Sequence, residues 1–155
     1  MSNLGMMKVP SEGQKTFGVK SVAAETWYNC CRILMIIVGA DGIISEEEMS
    51  VIREFSRMVG GNDIMIQDLM EFDFTNSRLE DYQVNELDMS WRHKILYTAI
   101  KASSKDGYAP QESLKVKQAA EIMGIAEWIA TAMETLVRME ADIQTLRLAL
   151  MISEY

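Results

Sequence analysis

The chain has 155 residues, 48% of them apolar and 25% charged, with a formal net charge of −8. That length buries one sizeable core and falls short of two ordinary domains. The two cysteines, Cys30 and Cys31, are adjacent; neighbours on a helix point about 100° apart, which excludes a structural disulfide or a C-x-x-C metal clip and suits a reducing, cytoplasmic compartment.

Met1 to Lys20 lacks the apolar centre of a signal peptide and carries Gly5, Pro10, Gly13 and Gly18. It reads as a loosely ordered arm, residues 1–20, ahead of a single domain at residues 21–155. The uncharged run Ile33 to Ala40, flanked by Arg32 and Asp41, is less than half of what a bilayer requires and predicts a buried core helix without membrane insertion. Beyond it, Met49, Val51, Ile52, Phe55 and Met58 form a second periodic stretch that stops at Gly60-Gly61. Asn62 is placed to cap a short helix through Ile64, Met65, Leu69 and Met70. Phe72 to Thr75 reads as loop, and Ser77-Arg78-Leu79-Glu80 as a capping box. Ile95 to Ser104 and then Leu114, Val116, Ala119, Ala120 and Met123 predict two more helices, ending at Gly124. From there Ile125, Trp128, Ala132, Leu136, Met139, Ile143, Leu146 and Leu150 recur in steps of three and four, one apolar helical face over about seven turns, as one long helix or two collinear ones. The expected fold is all-α, a bundle of about seven helices without sheet.

Two stretches share one grammar. The apolar run Cys30 to Ala40 leads into Asp41-Gly42-Ile43-Ile44-Ser45-Glu46-Glu47-Glu48, and Ile95 to Ser104 leads into Asp106-Gly107-Tyr108-Ala109-Pro110-Gln111-Glu112. At an offset of 65, Asp41/Asp106, Gly42/Gly107, Glu47/Glu112, Val51/Val116 and Met58/Met123 coincide. This predicts two pseudo-symmetric helical hairpins. Gly42 and Gly107 suit left-handed helix ends, Ser45 and Glu48 form a capping box, and Pro110 fits a first helical turn.

The run Asp41, Gly42, Ile44, Ser45, Glu48 fills a D-G-x-I-S-x-x-E pattern and resembles the TerB-like, tellurite-resistance family over about residues 25 to 150. The resemblance implies an all-α bundle of two pseudo-symmetric halves and acids associated with divalent cations. The second half departs from the pattern: Pro110 replaces the serine and Glu112 arrives one residue early, a rotation of about 100° on a helix.

Two readings compete for these acids. In one they are helix caps. In the other Asp41, Glu47 or Glu48, Asp106 and Glu112 meet across a pseudo-twofold axis as a hard-oxygen site for a divalent cation. An EF-hand is excluded, because its first and third ligand positions fall on Ile37 and Gly39. His93, the only histidine, lacks the partners for a zinc site. From Asp41 to Asp88 there are 13 acids and 3 bases, against 10 and 12 elsewhere; this acidity excludes nucleic acid and favours a cation or a basic protein surface. No phosphate loop or nucleophile triad occurs, so the chain is not expected to be an enzyme. The resemblance implies a non-enzymatic interaction module in tellurite resistance or stress response, joining a protein partner or membrane-associated complex. The alternative is a metal-dependent enzyme or regulator using the acidic cluster.

Overall fold

Between Cys30 and Val38 the chain carries one charged side chain, Arg32, so a helix through this stretch has no face to show to water. The computed structural model describes residues 5–18, 20–82, 84, 87–105 and 107–152, and in it helix α2 (Ala24–Val38) lies at the centre. Cys30, Cys31 and Ile33 through Val38 are each at most 2% exposed. Helices α3 (Glu46–Met58), α4 (Asp63–Met70), α5 (Met89–Ser103) and α6 (Pro110–Ile122) pack around it, and α7 (Glu127–Ile152) lies across α5 and α6. Arg32 solves its own desolvation by sitting 5.0, 5.7 and 5.6 Å from the ring centres of Tyr28, Phe72 and Tyr82, where the aromatic faces attract the cation.

The Asn62 cap forms as predicted, its side-chain oxygen accepting the Met65 amide at 2.9 Å. The capping box expected at Ser77 to Glu80 does not form. Ser77 Oγ donates to the Asp73 carbonyl at 2.6 Å, and Glu80 pairs with Arg78 at 3.2 Å. Two short 3₁₀ turns, Phe74–Asn76 and Leu79–Asp81, occupy this segment, because buried Leu79 and the Asp73 turn pin it too closely for a full helix to develop.

The N-terminal segment expected to be a loose arm is ordered where it is described. Strands β1 (Met6–Lys8) and β2 (Ser21–Ala23) pair antiparallel with Met7 opposite Val22, and helix α1 (Ser11–Phe17) bridges them. This ribbon is a small departure from the sheet-free expectation. Val9 and Phe17 enter the core, Phe17 meeting Phe55 and Trp91 edge-on at 5.4 and 5.1 Å. Gly13 serves here as a contact point: a Cβ at this position would lie 1.7 Å from the Met58 carbonyl oxygen at the end of α3. The missing side chain lets α1 close onto α3.

Helix α7 is continuous over 26 residues, which settles the choice between one helix and two. Its periodic face points outward. Trp128, Leu136, Met139, Ile143 and Leu146 are 48–73% exposed, whereas Ala130 and Val137, on the opposite side, are buried against the bundle. Ile125, which precedes the helix, is buried.

Gly13→Ala should therefore destabilise the whole domain by about 2 kcal/mol through overpacking against a backbone atom. Denaturant unfolding checks it; an unchanged midpoint would mean that α1 does not rest on α3.

Candidate functional site

The acids singled out by sequence belong mostly to helix starts. Ser45 Oγ accepts the Glu48 amide at 3.1 Å, and Glu48 Oε1 accepts the Ser45 amide at 2.7 Å, a complete reciprocal box at the head of α3. At the head of α6, Glu112 Oε1 accepts the Ala109 amide at 2.8 Å, and alanine, lacking a hydroxyl, leaves only the return half. Both glutamates are buried, at 3% and 1% exposure. Glu112 is thus the counterpart of Glu48, 64 positions on, and α3 and α6 are offset by 64 at both ends. Gly42 and Gly107, with φ of 94° and 109°, are 65 apart. The turn after Gly107 is one residue shorter than the turn after Gly42, which corrects the pairing of Glu112 with Glu47. The apparent early arrival of Glu112 and the substitution of serine by Pro110 have the same cause: Ala109 holds the position of Ser45.

Of the remaining candidates, Asp41 and Glu47 do not join these two in a metal-holding group. Asp41 is exposed and accepts the Ile43 amide at 3.1 Å within its own turn, and Glu47 is exposed on the first turn of α3. Asp106 lies outside the described residues. Among the described residues no group of three or more His, Cys, Asp or Glu side chains is placed to hold a metal ion. His93 is half-buried on α5. Cys31 packs in the core beside Ser56 Oγ at 3.4 Å, and burial pushes its thiol up to about 12, against the thiolate that a soft-metal or redox role needs.

A polar cluster that the sequence reading passed over lies where α6 meets α7. Glu134 accepts Ser113 Oγ at 2.7 Å and forms an ion pair with Lys117, both from α6. Tyr108 lies in the same cleft, of about 580 Å³, which is also lined by Ser104, Thr131 and Arg138. Burial acts to raise the Glu134 carboxyl, but Lys117, Tyr108 and Ser113 together hold it below the usual carboxylate range. Burial, then Glu134, pushes the Tyr108 hydroxyl well above its ordinary value, so it stays protonated. A carboxylate held charged by an ammonium is a poor proton acceptor, and Ser113 beside it gains no activation. The cluster fastens α7 to α6. Its signal in the sequence is positional: Glu134 falls on the step series Ala130, Glu134, Val137 that faces the bundle.

The architecture is therefore an all-α helical bundle with one small two-stranded ribbon. No family model matches the chain, and no curated protein matches it. The chain is similar to a tellurite resistance protein from Nostoc punctiforme known from its crystal structure, at 28% sequence identity and a TM-score of 0.68, over 89% of this chain and 88% of that one.

Two outcomes follow from the site. Glutamine can return the same hydrogen bond as Glu48, so Glu48→Gln should cost only the charge contribution near a helix N-terminus, roughly 0.3 to 1 kcal/mol. Millimolar calcium or magnesium should leave the melting temperatures of both proteins unchanged. A cation-dependent rise present in wild type and absent in the variant would favour the metal reading over the cap. For Glu134, the folded carboxyl lies below its unfolded value, so its stabilisation is full above the unfolded carboxylate pKa of about 4.3 and disappears as pH falls through the folded value. Glu134→Ala should cost about 1 to 2 kcal/mol at neutral pH by leaving Lys117 and Ser113 without their acceptor. The difference from wild type should shrink in acid; a difference independent of pH down to about 3 would contradict the ion-pair account.

Proposed function

We propose that this chain is a non-enzymatic interaction module acting in tellurite resistance, within a stress-response assembly built through protein partners. The observation that carries the reading is the likeness, over nearly the whole of both chains, to a tellurite resistance protein. The site chemistry is compatible with it: the buried carboxylates Glu48 and Glu112 accept backbone amides at helix starts, and the Glu134 cluster is a structural fastener. Among the described residues no helix is long and apolar enough to cross a membrane, so in this reading a membrane-associated complex is met through another protein. A cytoplasmic location belongs to the same proposal, motivated by the two reduced, buried cysteines.

Deleting the encoding gene in its host should lower survival on potassium tellurite. Complementation should succeed with wild type and equally with Glu48→Gln, since the latter keeps the cap. Survival unchanged by the deletion would overturn the tellurite reading; failure of Glu48→Gln despite normal folding would point to a chemical role for that carboxylate.

A further inference from the structure

We propose that α7 pairs two copies of this chain as a parallel, two-fold helical dimer, a proposal that rests on α7 itself and not on the tellurite reading. The surface at issue is the outward stripe of Trp128, Ala132, Leu136, Met139, Ile143 and Leu146. At 100° per residue, Leu136, Met139, Ile143 and Leu146 fall within an arc about 80° wide, centred roughly 165° from the bundle-facing side that carries Ala130, Glu134 and Val137. A partner seated on this stripe therefore meets neither α5 nor α6. From Trp128 to Leu146 the stripe runs about 27 Å, and with a helix diameter of about 12 Å it covers on the order of 300 Å² in projection. That is the size of the largest apolar patch of an ordinary monomer, where function concentrates. Two such faces with their flanks approach the ~1,000 Å² that a specific interface needs, at the small end where weak, transient pairs lie.

The spacing and the charges identify the occupant. Ala132, Leu136, Met139, Ile143 and Leu146 follow the alternating four and three steps of a heptad, with Leu136 and Ile143 at first positions and Met139 and Leu146 at fourth positions. In the second of these heptads Ile143 is β-branched at the first position with Leu146 at the fourth, a combination that favours two strands in a parallel coil. In a parallel pair each residue flanking the seam faces the residue five positions later on the other copy. Asp142 then faces Arg147 and Thr135 faces Glu140, twice each by symmetry. The antiparallel alternative that stacks the same four apolar layers brings Glu140 near its own copy and Asp142 near its own copy, both repulsive. The Asp142–Arg147 pair is thus made in the parallel orientation and replaced by like charges in the antiparallel one. A lipid surface is disfavoured by the same charges, because α7 carries four acids and two arginines, whereas interfacial helices are rich in Lys and Arg.

Sedimentation velocity and light scattering on the purified full chain, between about 1 and about 100 µM, test the proposal. The expected mass at the upper end is twice the 17.6 kDa of one chain, falling on dilution. Ile143→Asp, at an exposed position, should give a monomer with an unchanged helical spectrum. Arg147→Glu should weaken association about tenfold, and adding Asp142→Lys should restore it. A wild type that stays at one-chain mass throughout, or a dimer indifferent to Ile143→Asp, overturns the pairing. Failure of the double charge reversal to restore what Arg147→Glu removes overturns the parallel register. A monomeric wild type that co-sediments with phosphatidylcholine/phosphatidylglycerol vesicles, and loses them with Ile143→Asp, replaces the second copy by a lipid surface. None of these readouts depends on tellurite survival.

Discussion

The fold answers to one constraint, the stretch of α2 over residues 33–38, which has no side facing water. Each fully buried aliphatic side chain of α2 stabilises the folded state by roughly 1.5 to 3 kcal/mol, but only if it is covered. Ile33 through Val38 present such side chains in every direction. Flanking α2 on one side alone would leave half of that surface wet. The chain therefore surrounds it, with α3, α5 and α6 forming the wall and the short 3₁₀ segment and α4 closing gaps. The single charge on this stretch, Arg32, marks where the wall is made of aromatic rings instead of aliphatic side chains. Once α2 is enclosed, the starts of the surrounding helices are drawn inward, and their first amides need partners that water cannot supply.

That requirement explains why glutamates are buried at the heads of α3 and α6. Each carboxylate accepts a backbone amide at the edge of the core, where the positive end of the helix favours its charge. The Ser45/Glu48 box was readable because a hydroxyl and a carboxylate three residues apart have few other uses before an apolar run. Its partner was misaligned by one position. Matching the Asp-Gly pairs fixes the turns, but the turn after Gly107 is one residue shorter, so letters that align at the glycine no longer align in the helix. Geometry at the cap, which sequence identity does not carry, restores the match of Glu112 to Glu48.

The other differences between expectation and structure share a physical origin. Glycine in an N-terminal segment signals freedom when only backbone propensity is considered, yet Gly13 is used for close approach to the α3 carbonyl of Met58. One residue type satisfies both demands, and only a neighbour distinguishes them. Periodicity behaves in the same way. Steps of three and four from Trp128 to Leu146 establish that a face is apolar and that the segment is helical, both of which hold. They contain no statement of which body that face meets. The intramolecular face of α7 is the quieter one, held by Ala130, Val137 and the Glu134 ion pair. A small buried face anchored by a polar fastener gave little hydropathy signal against the louder stripe on the other side.

The placement of charge bears on what α7 does with that stripe. The excess of acids between Asp41 and Asp88 is largely exposed and largely occupied locally. Asp88 caps α5 through the Trp91 amide, Asp73 gathers Thr75 and Asn76, and Glu46 and Glu80 pair with Arg53 and Arg78. These acids nonetheless leave each chain at −8, and two such chains repel at long range. An association surface works against the least repulsion when it lies in the part of the chain that is nearly balanced. The residues outside the acidic stretch, with 12 bases and 10 acids, are that part; α7 belongs to it, and its own four acids and two arginines leave it only mildly acidic. In the proposed pair Asp142 and Arg147, which flank the stripe, meet their opposites across the two-fold axis, while Glu140 faces the uncharged Thr135. In the proposed pair the most acidic stretch of the chain is thus left to caps and solvent, and the contact falls on a helix of small net charge.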